Sequence, residues 1–175
     1  RQQRSLACVT RARGLAGACA LGRFGMAEPV NGDFVRAIHL TFDPTSDPTL
    51  RSQANASLEA LRQSDDGWVF CLQAFGSAVE EQVKFWCLQT VIQMVTKQGR
   101  YAAMPADQRA SLHGALISWL QSRGAPQTDE PVSVKNKFAQ LFVAVLKVDY
   151  PTAWPDVFSQ LLATLQNGPV AIDMF

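Results

Sequence analysis

The feature that most constrains this chain is a succession of apolar stripes at helical spacing, each bounded by proline, glycine or short polar residues. From Phe34 to Leu165, apolar residues recur every three or four positions, as one face of an α-helix requires. No run alternates apolar and polar residues as a half-buried strand would. The sequence therefore predicts an all-α protein.

Turn signals divide this pattern into seven helices. Asp43-Pro44 ends the first helix, and Ser46 or Asp47, followed by Pro48, begins the second with a cap and a first-turn proline. Tyr150-Pro151 ends a long helix, because the residue before a proline is disfavoured in the helical region. The helices form antiparallel pairs at about 31–63, 67–98 and 106–149, and a fourth pair begins at Trp154.

Two architectures accommodate these pairs, namely a closed helical bundle and an open α-solenoid. The pairs begin roughly 35–50 residues apart, which brackets the period of about 40–47 residues of HEAT repeats. The last residues, 170–175, form an apolar segment that has no cap and no following partner. We expect residues 26–175 to form the N-terminal repeats of a longer solenoid, truncated at the C-terminus.

Residues 1–25 differ in composition from the rest of the chain. They contain five arginines and no acidic residue. A mitochondrial transit peptide has this character, but translated upstream sequence preceding an initiator Met26 fits better. In either case we expect residues 1–25 to be a disordered or non-native extension outside the fold.

The net negative charge of residues 26–175 argues against a protein that binds phosphates over its whole surface. With five of the sixteen basic residues in the extension, eleven remain against fifteen acidic ones.

The four cysteines form no CxxC pair, and no zinc-ligand spacing appears, so we expect Cys71 and Cys87 to be buried thiols. No apolar run reaches the ~18 residues of a membrane span, so no membrane insertion is expected.

Catalytic chemistry has no support in the residue pattern. A nucleophile requires a base within reach, but His39 and His113 are far apart in sequence and are expected to be half-buried structural residues. The phosphate-binding, dinucleotide, zinc-protease and serine-hydrolase motifs are all missing. We therefore expect no catalytic residue, no metal and no cofactor, and the protein is predicted not to be an enzyme.

Two segments go beyond an anonymous helical pattern. They are residues 83–92, and residues 134–142 with the following stretch 149–158, in which Tyr-Pro ends one helix and Trp-Pro begins the next. These segments resemble the N-terminal region of the importin-β-like karyopherins, and most of all the receptors that export tRNA. Residues 117–121 and the Asn-Gly-Pro at 167–169 support that narrower match.

The resemblance implies a HEAT-like solenoid that carries Ran in its GTP state on its inner helices. It further implies cooperative binding of tRNA in the nucleus, release of both in the cytoplasm after GTP hydrolysis, and contact with nucleoporins during shuttling. Two alternatives remain open, a karyopherin with protein cargo and a helical-repeat adaptor that does not bind Ran.

The candidate partner contacts lie on the second helix of two pairs, where the family has its concave surface. The alternative for each residue is an ordinary solvated helix face. Together with Lys135, the three lysines among the candidates form the only basic cluster of the body, which is a weak signal for a tRNA contact. The candidates are Gln82, Lys84, Gln89 and Gln93 on the earlier helix, and Asn136, Lys137, Gln140 and Lys147 on the later one.

Overall fold

The computed structural model describes residues 32–97, 99–122 and 130–165. Within these ranges the chain forms seven α-helices and no strand, which confirms the predicted all-α class. The expectations for residues 1–25 and for the apolar segment 170–175 lie outside the described residues. The helices are α1 (Gly32–Phe42), α2 (Pro48–Gln63), α3 (Gly67–Ser77), α4 (Glu81–Thr96), α5 (Ala106–Ser122), α6 (Val132–Asp149) and α7 (Val157–Leu165).

The start of α2 shows how local chemistry sets a helix boundary. The Asp47 carboxylate accepts hydrogen bonds from the amides of Thr49 and Leu50, at 2.8 and 3.2 Å. These are amides of the first turn, which have no carbonyl partner inside the helix. Pro48 occupies the first turn, where a missing N–H costs nothing. The predicted cap and proline are both confirmed at this helix.

Helix α4 is the central element, because it packs against both α3 and α6. Its apolar surface is correspondingly wide, with Val83, Cys87 and Val91 almost fully buried. Cys71 of α3 is also fully buried, and both cysteines are free thiols, as the sequence predicted. Burial between two neighbours explains why apolar residues occupy more than one stripe of this helix.

The first hairpin docks on α4 through aromatic contacts. Phe34 of α1 lies edge-to-face against Phe70 of α3 and Trp86 of α4, with ring centroids 5.0 and 5.4 Å apart. Arg62 of α2 places its guanidinium 5.2 Å from the Trp86 ring centroid. Helices α1 and α2 therefore pack as the predicted pair, and α1 additionally packs against α4.

A buried polar cluster joins α5 to the end of α6. Asp149 is fully buried and accepts hydrogen bonds from Tyr101, from His113 Nε2 at 2.6 Å and from Arg109 at 3.4 Å. The His113 ring stacks on Trp154 with centroids 4.0 Å apart, which brings the segment before α7 into the same cluster. Both carboxylate oxygens of Asp149 have hydrogen-bond partners, as a buried carboxylate requires.

The two histidines differ from each other in a way that the sequence did not predict. Both were expected to be half-buried, but His113 is only 8% exposed. The His39 side chain is 45% exposed, and its Nε2 lies 2.5 Å from Glu80 Oε2. It occupies the polar edge of α1, because the apolar positions Phe34 and Ile38 face the core.

Candidate protein-binding face

Helices α4 and α6 lie side by side and run in the same direction. Near their starts, Ser133 of α6 donates a hydrogen bond to Glu81 of α4. Farther along both helices, Lys137 reaches Gln89. The two helices are the second members of their pairs, so their polar stripes form one continuous surface, which we call the α4–α6 face.

Lys137 lies at the centre of this face and is held in place by three neighbours. Its Nζ donates to the side-chain oxygens of Gln89, at 2.8 Å, and Gln140, at 3.2 Å. The same ammonium group lies 4.7 Å from the centroid of the Phe85 ring. A cation over an aromatic face is attracted by the ring quadrupole. Three of the eight predicted contact residues are thereby brought together.

Lys84 does not belong to the exposed face, which corrects its assignment from the sequence. It is only 8% exposed, and its Nζ lies 2.7 and 2.9 Å from the two carboxylate oxygens of Glu130. Glu130 is itself 5% exposed. Lys84 can be buried because this carboxylate, two positions before α6, supplies the opposite charge that a buried ammonium requires.

The other predicted residues lie at the surface. Gln93 is half-buried on α4, while Asn136, Gln140 and Lys147 are exposed on α6. Lys147 follows Lys137 by ten residues, which corresponds to about 15 Å along a helix axis. The positive charges of Lys137 and Lys147 are therefore widely spaced.

A shallow groove of about 260 Å³ adjoins the face, and sequence reasoning missed it. It is lined by Phe42 of α1 and by Glu81, Gln82 and Phe85 of α4. Their helical spacing would place Phe42 and Phe85 on apolar faces, but Phe42 is 49% exposed and Phe85 is only partly buried. The groove forms because α1 docks on α4, which no helical periodicity reveals.

Within residues 32–97, 99–122 and 130–165, no three histidine, cysteine or acidic side chains come together as metal ligands. Burial and a hydrogen bond to Cys71 raise the pKa of the Cys87 thiol far above its usual range, the hydrogen bond being the larger cause. That thiol is therefore not a nucleophile at neutral pH. None of the described helices combines the length and apolarity of a membrane span.

Comparison with protein families supports the class that this helical architecture indicates. Residues 131–175, which include α6 and α7, match the family described as Exportin 1-like protein. The described helices and this match define an all-α helical-repeat protein of the exportin type.

Several curated relatives are similar in sequence to most of this chain. It is 30% identical to Exportin-T of Dictyostelium discoideum over 143 residues, and 30% identical to Exportin-T of Homo sapiens over 138 residues. Exportin-T of Arabidopsis thaliana is 29% identical over 150 residues. These alignments cover 78–82% of this chain but only 13–15% of the relatives. The chain is therefore similar to proteins of the exportin type, and to Exportin-T over most of its own length.

Proposed function

We propose that this chain is part of a nuclear export receptor for tRNA. The receptor binds Ran in its GTP state and tRNA cooperatively in the nucleus, and it releases both in the cytoplasm after Ran hydrolyses GTP. The observation that carries the proposal is the similarity to Exportin-T across about four fifths of the chain. The solenoid acts by binding, and the chemistry of GTP hydrolysis belongs to Ran.

The α4–α6 face is the proposed Ran-contacting surface. It consists of side-chain amides and one well-positioned ammonium group on two parallel helices. Such a surface suits a protein partner, because amides both donate and accept hydrogen bonds at a polar interface. The proposed contacts are Gln82, Gln89, Gln93, Asn136, Lys137, Gln140 and Lys147.

The tRNA is proposed to bind mainly through parts of the full-length protein beyond this chain. The described part of the chain carries few exposed cations, whereas binding to nucleic acid requires several phosphate contacts. Contact with nucleoporins and shuttling between nucleus and cytoplasm are further parts of the same proposal.

A cooperativity measurement tests the function. The affinity of the full-length protein for labelled tRNA is measured alone, with Ran bound to a non-hydrolysable GTP analogue, and with Ran bound to GDP. We expect the GTP form to raise tRNA affinity at least tenfold and the GDP form to leave it unchanged. By reciprocity, tRNA must raise the affinity for Ran by the same factor. Equal tRNA affinity in all three conditions would refute the proposal.

The same measurement separates the two alternatives. A receptor that binds the GTP form of Ran but shows no coupling to tRNA carries another cargo. A protein that binds neither form of Ran is a helical-repeat adaptor rather than a transport receptor.

A further inference from the structure

We infer that Lys137 is an ionic anchor of the α4–α6 face, and that it takes a carboxylate side chain of a protein partner. This inference rests on the proposed function, since it concerns the same surface. It specifies which residue carries the electrostatic part of recognition and which chemical group it recognises.

The Lys137 ammonium is positioned but not neutralised. Of its three N–H donors, two are used by the neutral amide oxygens of Gln89 and Gln140. In the part of the chain that the structure describes, no carboxylate lies within 4.0 Å of its Nζ. One donor and the full positive charge therefore remain available to a ligand.

Lys84 provides an internal comparison on the neighbouring helix. Its ammonium is also fixed by oxygen acceptors, but these belong to the Glu130 carboxylate, and the pair is buried. Its charge is thus satisfied inside the protein. Lys137 is half-buried, and its neighbours are two neutral amides and an aromatic ring, so its charge is open to an external anion.

Positioning of this kind favours binding. A free lysine loses side-chain conformational entropy when it is ordered by a partner. The two amides and the Phe85 ring hold the Lys137 side chain before a partner arrives. Part of the ordering cost is therefore met within the folded chain, and more of the ion-pair energy contributes to affinity.

The surrounding charges favour a carboxylate of a protein over a nucleic-acid phosphate. Glu80 and Glu81, both exposed, lie at the start of α4, and Glu81 lines the groove next to Phe85. A phosphate backbone carries a charge at every nucleotide and would meet more repulsion from these carboxylates than a single partner carboxylate would. The next exposed lysine of α6, Lys147, lies about 15 Å along the axis, too far to follow consecutive phosphates.

The groove beside Lys137 indicates which kind of partner residue lies next to the carboxylate. Phe85 contacts the ammonium and also lines the groove with Phe42. Its volume of about 260 Å³ suits one or two apolar side chains. The partner surface that fits is an acidic residue next to an exposed apolar residue.

A neutralising substitution tests the anchor without removing it. Gln89→Glu keeps the size and the acceptor but gives Lys137 an internal carboxylate, as Glu130 does for Lys84. We expect Gln89→Glu and Lys137→Gln each to weaken binding of GTP-state Ran by the full-length protein about tenfold, without tRNA present. Lys137→Arg, which keeps the charge, should weaken binding less than threefold.

Matched controls separate this effect from a loss of folding or of total charge. Gln73→Glu adds the same charge on an exposed position of α3 and should leave Ran affinity unchanged. Thermal melting should show that Gln89→Glu unfolds within a few degrees of the wild type. The weakening should also shrink as salt is raised, because screening reduces the contribution of the ion pair.

The outcomes distinguish this inference from the function on which it rests. A wild-type protein that does not bind GTP-state Ran overturns both. Normal Ran binding by Gln89→Glu overturns the anchor alone. If Lys137→Gln loses tRNA binding measured without Ran but keeps normal Ran binding, then Lys137 binds a phosphate. That result also overturns the anchor inference.

Discussion

Lys84 Nζ contacts both carboxylate oxygens of Glu130, at 2.7 and 2.9 Å, in a buried ion pair that joins α4 to the residue two positions before α6. The pair determines the role of Lys84, because both charges are removed from solvent and satisfy each other. Burying either charge alone would be strongly unfavourable.

Breaking this pair should therefore destabilise the α4–α6 packing. We expect Lys84→Met to cost about 3–5 kcal/mol locally, because the Glu130 carboxylate would lose its buried ammonium partner. Hydrogen exchange of the full-length protein, read by mass spectrometry, should show α4 amides exchanging roughly a hundred to several thousand times faster. The double variant Lys84→Met/Glu130→Met should recover most of the protection, and exchange that is unchanged in the single variant would contradict this role.

The buried cluster around Asp149 should be a second point of sensitivity. Asp149→Asn keeps the shape but removes the charge that Arg109 and His113 contact. We expect a loss of about 2–3 kcal/mol, since hydrogen bonds to charged groups contribute more than neutral ones. Hydrogen exchange at the end of α6 and in α7 measures it. Asp66→Asn, at an exposed carboxylate that makes no cap hydrogen bond, should have no comparable effect.

Tyr101 should keep its proton in strongly alkaline solution. Burial, followed by the hydrogen bond to Asp149, raises the pKa of the Tyr101 hydroxyl well above its ordinary value of about 10. Below that pH the hydroxyl is protonated in both the folded and unfolded states. The stability it contributes is lost as pH rises above about 10, since only the unfolded chain ionises readily there.

A tyrosinate difference titration checks this assignment. The absorbance near 295 nm of the full-length protein is compared with that of Tyr101→Phe, while circular dichroism monitors folding. We expect the two curves to coincide up to pH 11 as long as both proteins stay folded. A difference of one tyrosinate near pH 10 in folded protein would show that the hydroxyl is not protected.

The two buried cysteines should resist alkylation. The pKa of Cys87 is raised by its hydrogen bond with Cys71 and by burial, so very little reactive thiolate forms. At pH 8, N-ethylmaleimide should leave both residues unmodified in native full-length protein, as mapped by mass spectrometry. In guanidinium chloride both should react completely, and rapid modification of native protein would show that the α3–α4 packing opens easily.

Local sequence chemistry was sufficient to predict the helices. Asp47-Pro48 begins α2, and α6 ends at Asp149, immediately before Tyr150-Pro151, because caps and prolines act on neighbouring residues. The docking of α1 on α4 was not predicted. It depends on Phe34 meeting Trp86 across 52 positions, and the spacing of apolar residues along one helix does not specify the partner.

The positions of the polar side chains on the α4–α6 face were predictable to a similar extent. A polar stripe opposite an apolar stripe correctly placed Gln89, Lys137 and Gln140 on one surface, where the structure brings them into contact. The same reasoning failed for Lys84, because its burial depends on a carboxylate 46 residues away. Helical geometry specifies the direction of a side chain, whereas its charge environment is set by whichever residue packs against it.

The groove between Phe42 and Phe85 has a mechanical consequence. Its two walls come from different helical hairpins, since Phe42 ends α1 and Phe85 belongs to α4. A side chain inserted there would contact both hairpins at once. If such contact changed the angle between the hairpins, every later helix would be displaced in proportion to its distance from the groove.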